Sequence, residues 1–363
     1  MVIARQRAEA GAALAWLRRN LFADWGNGLL TLLILAALAW GLSHLLAWTL
    51  LSAQFRPDAE ACRALDHAGA CWGVIAEKHG QILFGRYPYE EMWRPLVATV
   101  LMLALLALTC LRPRARLAAA WAVAAVLVLI LMGGGVLGLS PVGAERWGGL
   151  PLTLLLSLGG MAGALPLGVL LALGRRSELP AVRAVCSSYI ELVRGVPLVS
   201  LLFLASFLLP LLLPQGASPG VLARVLIGLI LFAAAYLAEV VRGGLQAVPE
   251  TQRLAAAALG LGYWQTQRWI ILPQALRLVL PALMNTFIAT IKETSVVTVV
   301  SLYELTGALS LALSGDADWR PFFLEGYLFI AAIYWLICYS LSRASLRFER
   351  QGSEHRDPIR ARR

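Results

Sequence analysis

Residues 221–262 read VLARVLIGLILFAAAYLAEVVRGGLQAVPETQRLAAAALGLG, and the fold is decided by what changes halfway along. The first part, 221–241, is apolar for about 20 residues, the length needed to cross a bilayer. The second part is interrupted at Pro249 and resumes as a short alanine-rich run. Pro249 suits a first helical position, and Glu250 suits the positive end of the helix dipole. Leu254 to Leu259 has the highest helix propensity available, and Gly260 is a natural C-cap. These signals predict a helix of about 11 residues, roughly 16 Å long, too short and too polar at its flanks to span. A second short element is expected over 263–271, stopped by Pro273. Such a pair serves either as an interfacial anchor held by Trp264 and Trp269, or as a small-faced helix that enters a partner's cleft.

The same apolar signature recurs along the chain. Of 363 residues, 59% are hydrophobic and 14% charged, against about 25% charged in soluble domains, and mean hydropathy is +0.72. A soluble core of this composition would leave large apolar patches facing water. Eight apolar spans are expected, near 28–51, 95–111, 117–139, 150–173, 187–213, 221–241, 275–302 and 323–342, which makes the chain an all-α polytopic membrane protein. The net charge of +10 follows the membrane. With the N-terminus inside, 21 of the 31 Lys and Arg fall in cytoplasmic segments, including Arg112, Arg114, Arg116, Arg175 and Arg176. External segments hold 8, and Arg194 and Lys292 lie within spans. This is the positive-inside asymmetry, so the basic excess reports orientation and gives no support to nucleic-acid binding.

The chain divides near residue 145. A cytoplasmic N-terminus (1–27) lacks a signal-peptide cleavage pattern and leads into a retained anchor. The extension, 28–146, holds three spans, an external loop over 52–94, and no polar residue deep in a span. The loop carries Trp72, Tyr87, Tyr89 and Trp93, aromatics suited to the interface. It also holds Cys62 and Cys71, where an oxidising compartment permits a bridge that spacing alone does not establish. The part over 147–345 holds five spans and the loop 249–271, and a basic tail follows over 346–363. No internal repeat is evident, which weakens the case for many secondary-transporter architectures. No phosphate-cradling G-x-x-x-x-G-K-[ST] occurs, and neither Lys78 nor Lys292 follows a glycine, so an ATP-driven role requires a partner chain. His44, His67, His79 and His355 are scattered, no metal-ligand spacing occurs, and no serine has a paired base.

Ionisable residues inside spans mark the places to seek a path. Lys292 and Glu293 lie near the middle of a long apolar stretch, with Thr294 and Ser295 beside them. Adjacent on a helix, the two charges point about 100° apart. They either line a polar cavity, where they would meet the carboxylate and ammonium of an amino acid, or pair with other helices. Asn285 belongs to the same candidate path or to an interhelical hydrogen bond. Arg194 and Glu239 lie near cytoplasmic ends, where they snorkel or pair with each other. Pro197, Pro210 and Pro281 are candidate kinks that gate or shape the bundle.

The pattern Ala255-Ala256-x3-Gly260-x9-Ile270-x-Leu272-Pro273 resembles the EAA loop of ABC-importer permeases. Leu254 stands at the motif's glutamate position, where it forms no salt bridge. Gly149-Leu150-Pro151-Leu152-Thr153-Leu154, Val193-Arg194-Gly195-Val196-Pro197-Leu198, Tyr236-Leu237-Ala238-Glu239-Val240-Val241-Arg242 and Lys292-Glu293-Thr294-Ser295 are similar to segments of the polar amino-acid branch, in order across about 200 residues. Cys62, Cys71 and Phe84-Gly85-Arg86-Tyr87-Pro88 resemble the extended N-terminus of the M-type permease of the general L-amino-acid transporter. The resemblance implies a five-helix type I importer core and a coupling surface of Leu254, Ala255, Ala256, Gly260, Ile270, Leu272 and Pro273. It implies an ABC ATPase dimer that holds ATP and Mg, with no cofactor on this chain. It also implies a periplasmic amino-acid-binding protein, a second Q-type permease as heterodimer partner, and a bacterial inner-membrane location in lipid with both termini cytoplasmic. Two other functions fit the composition: an ion-coupled secondary transporter using Glu293, and a non-transporting membrane scaffold.

Overall fold

The structure is a computed structural model that describes residues 15–65, 68–111, 116–214 and 218–354. Arg112, Arg114, His67, His355 and the basic groups of the tail beyond Glu354 lie outside the described residues. Among the described residues the regular structure is helical, apart from isolated bridges at Gln54–Cys71 and Gly149–Glu304. The chain forms two compact units, Met1–Glu77 and Lys78–Arg363, so the compact division falls earlier than the change in sequence character near 145.

In the first unit, α1 (Trp25–Leu46) continues through a π turn at Ala47–Leu51. It is apolar on every side, and none of its residues is buried. The chain then folds back on itself. The Gln54 amide donates to Ala70 O at 2.8 Å, and the Trp72 indole donates to Thr49 O at 2.8 Å. Asp58 caps α2 (Ala59–Ala64), its carboxylate accepting from the Glu60 and Ala61 amides at 3.0 Å each, as an N-cap should. Cys62 and Cys71 are joined in a disulfide, both buried. The next helix, α3 (Gly73–Phe84), begins in this unit and ends in the other.

The second unit contains α4 (Trp93–Leu111), α5 (Arg116–Gly133), α6 (Gly149–Arg175), α7 (Pro180–Gly195), α8 (Leu198–Phe203), α9 (Leu209–Leu212) and α10 (Val221–Ala247). After these come α11 (Thr251–Ala258), α12 (Tyr263–Thr266), α13 (Leu272–Glu293), α14 (Leu305–Ser314) and α15 (Phe323–Glu354). Six segments of the described chain are long and apolar enough to cross a membrane. Two of the eight expected spans differ from expectation. The third is a 17-residue apolar helix, Leu117–Gly133, because the glycines that follow turn the chain away. The fifth, expected as continuous over 187–213, is broken into α7 and α8–α9 with a bend of 109°. Val196 precedes Pro197 and is forced extended (φ −104°, ψ 135°), so the helix cannot continue through it.

Prolines elsewhere are absorbed without a break. Pro210 and Pro273 each stand two residues after a π turn, Leu204–Leu208 and Gln267–Ile271. A proline has no N–H and its ring crowds the carbonyl four residues back, and a widened turn relieves both problems. For Pro210 that carbonyl belongs to Ser206, and the Arg224 guanidinium donates to it.

The core is the contact of α6 with α10, and small residues make it close. Ala233, Ala234, Ala235, Ala238 and Gly244 on α10 are buried, as are Gly160, Ala164 and Gly168 on α6. A Cβ on Gly168 would fall 2.8 Å from Leu237 Cβ and 3.0 Å from Ala234 O. Close backbone approach of this kind is how helices gain packing energy where lipid removes the hydrophobic drive. α13 joins through Ala275, which packs with Val241, Leu245 and Ile271. Phe287 and Ile291 of α13 pack with Leu341 of α15.

The α4–α5 pair is tied at one end by Arg94, which is 1% exposed. Its guanidinium donates to Leu131 O at 2.6 Å and Ser140 O at 2.9 Å, and pairs with Glu91. Tyr87 donates its hydroxyl to Met132 O at 3.0 Å. Both side chains thus satisfy carbonyls at the C-terminal end of α5, where a cation is favoured.

Candidate coupling loop and translocation path

The segment between α10 and α13 projects a helix whose outer side is bare. α11 has 8 residues, shorter than expected. Its first turn is tight, with Gln252 N donating to Pro249 O at 3.1 Å and Arg253 N to Glu250 O at 2.9 Å. These i to i+3 bonds delay the α register to Thr251. Of the alanines only Ala256 is fully buried, while Leu254 and Leu259 are 66% and 78% exposed. Gly260 ends the helix at φ +73°. The Leu261 amide donates to Ala256 O and the Gly260 amide to Ala257 O, at 3.1 and 2.9 Å, which is the Schellman arrangement. A Cβ at Gly260 would meet nothing within 4 Å, so the glycine is there for its backbone.

The next element does not stop at Pro273. α12 starts with Gln265 Oε1 accepting from the Gly262 amide at 2.9 Å, then passes through the π turn directly into α13. The run Tyr263–Val300 is one helical segment of 38 residues. Ile271 is buried in the core and Ile270 and Leu272 pack against the same cluster, while Trp264 and Trp269 are exposed. The loop therefore stands on α13. Arg176, just past α6, sits within the field of Arg253, Glu250, Tyr263 and Arg242, and burial holds its guanidinium below the ordinary range.

Behind the loop lies a charged knot. Glu239 of α10 accepts from Arg175 at the end of α6 and from Arg242 one turn along α10 (2.8 Å), and forms an ion pair with Arg194 at the end of α7 (3.3 Å). Arg175 also reaches Glu191 at 3.1 Å, and Arg194 lies over the Tyr236 ring, 5.6 Å from its centroid. One carboxylate thus ties three helices, with Arg175 and Arg242 joining the Arg194–Glu239 pair. The Glu239–Arg242 spacing was readable as an i, i+3 pair. Arg175 lies 64 positions away and carries no such signal. Pro197 is the residue before α8, directly after the bend, and makes no part of this knot.

The path residues lie along α13 and its end. Lys292 and Glu293 close α13, and Thr294 opens a 3-10 segment that runs to Val300. They mark a change of helix type within the segment Tyr263–Val300. Asn285 and Lys292, two turns apart, are both exposed, Glu293 and Ser295 are half-buried, and Thr294 is buried and donates to Ile291 O at 2.8 Å. Among the described residues no charged side chain lies within ion-pair distance of Lys292 or Glu293.

Two further polar sites join residues far apart in the chain. Glu304 is fully buried and caps α14, accepting from the Thr306 and Gly307 amides at 2.8 and 3.1 Å. It also accepts from the Tyr334 hydroxyl of α15 at 2.6 Å and from Thr153 of α6 at 3.3 Å. Lys78 of α3 pairs with Asp316, just past α14, at 2.7 Å. That bond holds the Asp316 carboxyl below the usual range.

Long apolar helices, a charged knot between three of them, and an exposed capped loop leading into a fourth define a helical integral membrane protein. Residues 164–351 match the family of binding-protein-dependent transport system inner membrane components. The chain is 45% identical over 350 residues to the inner membrane amino-acid ABC transporter permease protein YhdY of Escherichia coli K12, covering 95% of each. It is 35% identical over 405 residues to the glutamate/glutamine/aspartate/asparagine transport system permease protein BztC of Rhodobacter capsulatus, covering 93% of each. A solved structure of an amino acid ABC transporter with histidines is similar at 34% identity and a TM-score of 0.49, covering 55% of this chain and 90% of that one. The chain belongs to this family. It is the permease subunit of an ABC importer, a multi-pass membrane protein whose work depends on an ATPase and a substrate-binding protein.

Proposed function

We propose that this permease moves amino acids inward, and that α11 with the turn at Gly260 is where the ATPase dimer docks. The observation that carries the proposal is the form of the loop: a capped, exposed small-residue helix that turns at Gly260 into α12, which runs through the π turn into α13. α13 is 22 residues long, a rod of about 33 Å. A push at Leu254–Gly260 therefore reaches Lys292 and Glu293, where the rod changes helix type. ATP and Mg bind the partner ATPase, and this chain binds no cofactor. Substrate arrives on a periplasmic binding protein and crosses between this chain and a second, related Q-type permease. Both termini face the cytoplasm of a bacterial inner membrane. Asn285, Lys292, Glu293, Thr294 and Ser295 form the chain's contribution to the path, with opposite charges that suit a zwitterion. The names of the relatives support amino acids as the cargo class.

The test is purification of the intact complex, followed by ATP hydrolysis measured with each amino acid and the binding protein present. Stimulation by amino acids, and loss of uptake in cells lacking the ATPase, are expected. Uptake that persists without the ATPase would instead support ion coupling through Glu293.

A further inference from the structure

α14 is held at both ends, and one of the two holds comes from α3, within the extension over 28–146. At its start, Glu304 ties it to Thr153 of α6 and Tyr334 of α15, and the Gly149 amide donates to Tyr303 O at 2.9 Å. Just past its end, the Asp316 amide donates to Leu313 O at 3.2 Å. The Asp316 carboxylate accepts from the Asp318 amide at 3.0 Å and from Lys78 of α3 at 2.7 Å. Lys78 thus sets a cation against the C-terminal end of α14, where the helix dipole favours one. Beside the pair, a cavity lined by Gln81, Arg86, Leu311 and Ala312 lies between α3 and α14. The ion pair, rather than apolar packing, closes that side. α14 in turn lies on the 3-10 segment Thr294–Val300: a Cβ on Gly307 would stand 2.6 Å from Thr298 Oγ1. The joint between segment and helix is Ser301, whose left-handed backbone (φ +66°) is uncommon for a residue with a side chain. Such a conformation persists only while the surrounding structure holds it.

We infer that Lys78 is a positioning residue: it holds α14 and, through α14, the 3-10 segment that bears Thr294 and Ser295. The extension thereby acts on transport without touching cargo, a consequence that rests on reading those two residues as part of the path. Coupling of this kind is carried by packed side chains and rigid helices. Here the run goes from Lys78 to Asp316, back along α14 to Gly307, and across to Thr298. A second grip keeps α3 itself in place. The turn after it, at Gly85 (φ +67°), lies against the residue before α6, and a Cβ there would stand 2.6 Å from Gly148 Cα. The ion pair therefore joins α14 to an anchored helix.

The test has two arms: hydrogen exchange over 294–314 in the full chain in nanodiscs, and uptake of a mixture of radiolabelled L-amino acids by the intact complex in proteoliposomes. Lys78→Gln removes the pair and should speed exchange of both α14 and 294–300 about threefold, the scale a partly exposed ion pair permits. Exchange over 251–271 should not change. The half-saturating concentration for uptake should rise by a similar factor, with the maximal rate near wild type. Lys78→Arg keeps the pair and should match wild type in both arms. Gly307→Ala pushes α14 off Thr298 and should loosen 294–300 by itself; adding Lys78→Gln should then have little further effect on that segment. Unchanged exchange of 294–300 in Lys78→Gln, or effects of the two substitutions that simply add, would overturn the inference. Faster exchange of 294–300 with uptake unchanged would support it and remove Thr294 and Ser295 from the path, so the two readings fail separately.

Discussion

The spans Trp25–Leu51 and Val221–Ala247 are each 27 residues long, with mean hydropathies of 2.1 and 2.3, yet their surroundings are opposite. None of the apolar window of the first is buried, and half of the second is. The difference lies in side-chain size and in a few polar groups. α10 presents alanines and Gly244 to its neighbours and carries Arg224, Glu239 and Arg242. α1 presents leucines all round and has no acidic or basic residue in its first turn. Hydropathy thus reports that a helix is in the membrane, whereas small residues and polar anchors report that it is in the core.

The sharpest way to break that contrast is to place the same bulk in both settings. Gly168→Leu drives a side chain into Leu237 and the Ala234 carbonyl, and is expected to cost about 3 kcal/mol. Gly41→Leu in α1 meets nothing within 4 Å and should stay within about 0.5 kcal/mol of wild type. Thermal unfolding in nanodiscs compares the two, and equal effects would remove the distinction. Next in size is Glu239→Gln, which leaves three guanidiniums facing an amide. A loss of roughly 2–3 kcal/mol is expected, with Arg175, Arg194 and Arg242 loosening together. Hydrogen exchange at the ends of α6 and α7 reads it, and unchanged protection there would show that the knot holds nothing.

The smallest effect belongs to the half-exposed Lys78–Asp316 pair. Because Asp316 has a depressed carboxyl pKa, its contribution is present above the ordinary carboxylate range and disappears as pH falls through the native value. Asp316→Asn should therefore lower the melting temperature slightly at neutral pH and make no difference in strong acid. A gap between the two proteins that persisted in acid would assign the effect to something other than the ion pair.

What the sequence makes legible follows the range of the forces involved. The stop at Gly260 was readable because a left-handed cap is a local demand on one residue, and the break at Pro197 was visible as a kink candidate for the same reason. Pro273 was misread as a stop because its cost is absorbed by the π turn before it, which depends on how α13 packs. The length of α11 was overestimated because i to i+3 bonds at Pro249 and Glu250 leave no composition signature. Glu304 was invisible as a hub: it looks like an ordinary acid outside a span, and one of its partners, Thr153, lies 151 positions away. Arg94 likewise caps a helix that starts more than twenty residues later.

The central claim is that α11 and its glycine turn form the docking surface for the ATPase. Gly260→Glu tests it most directly, by forcing a left-handed backbone on a residue that resists it, at a cost of about 1–2 kcal/mol, and by adding a charge to the exposed face. Co-purification of the ATPase with the membrane-inserted variant is the measurement. The account predicts normal insertion with the ATPase lost and transport abolished. Normal ATPase binding together with normal transport would contradict it.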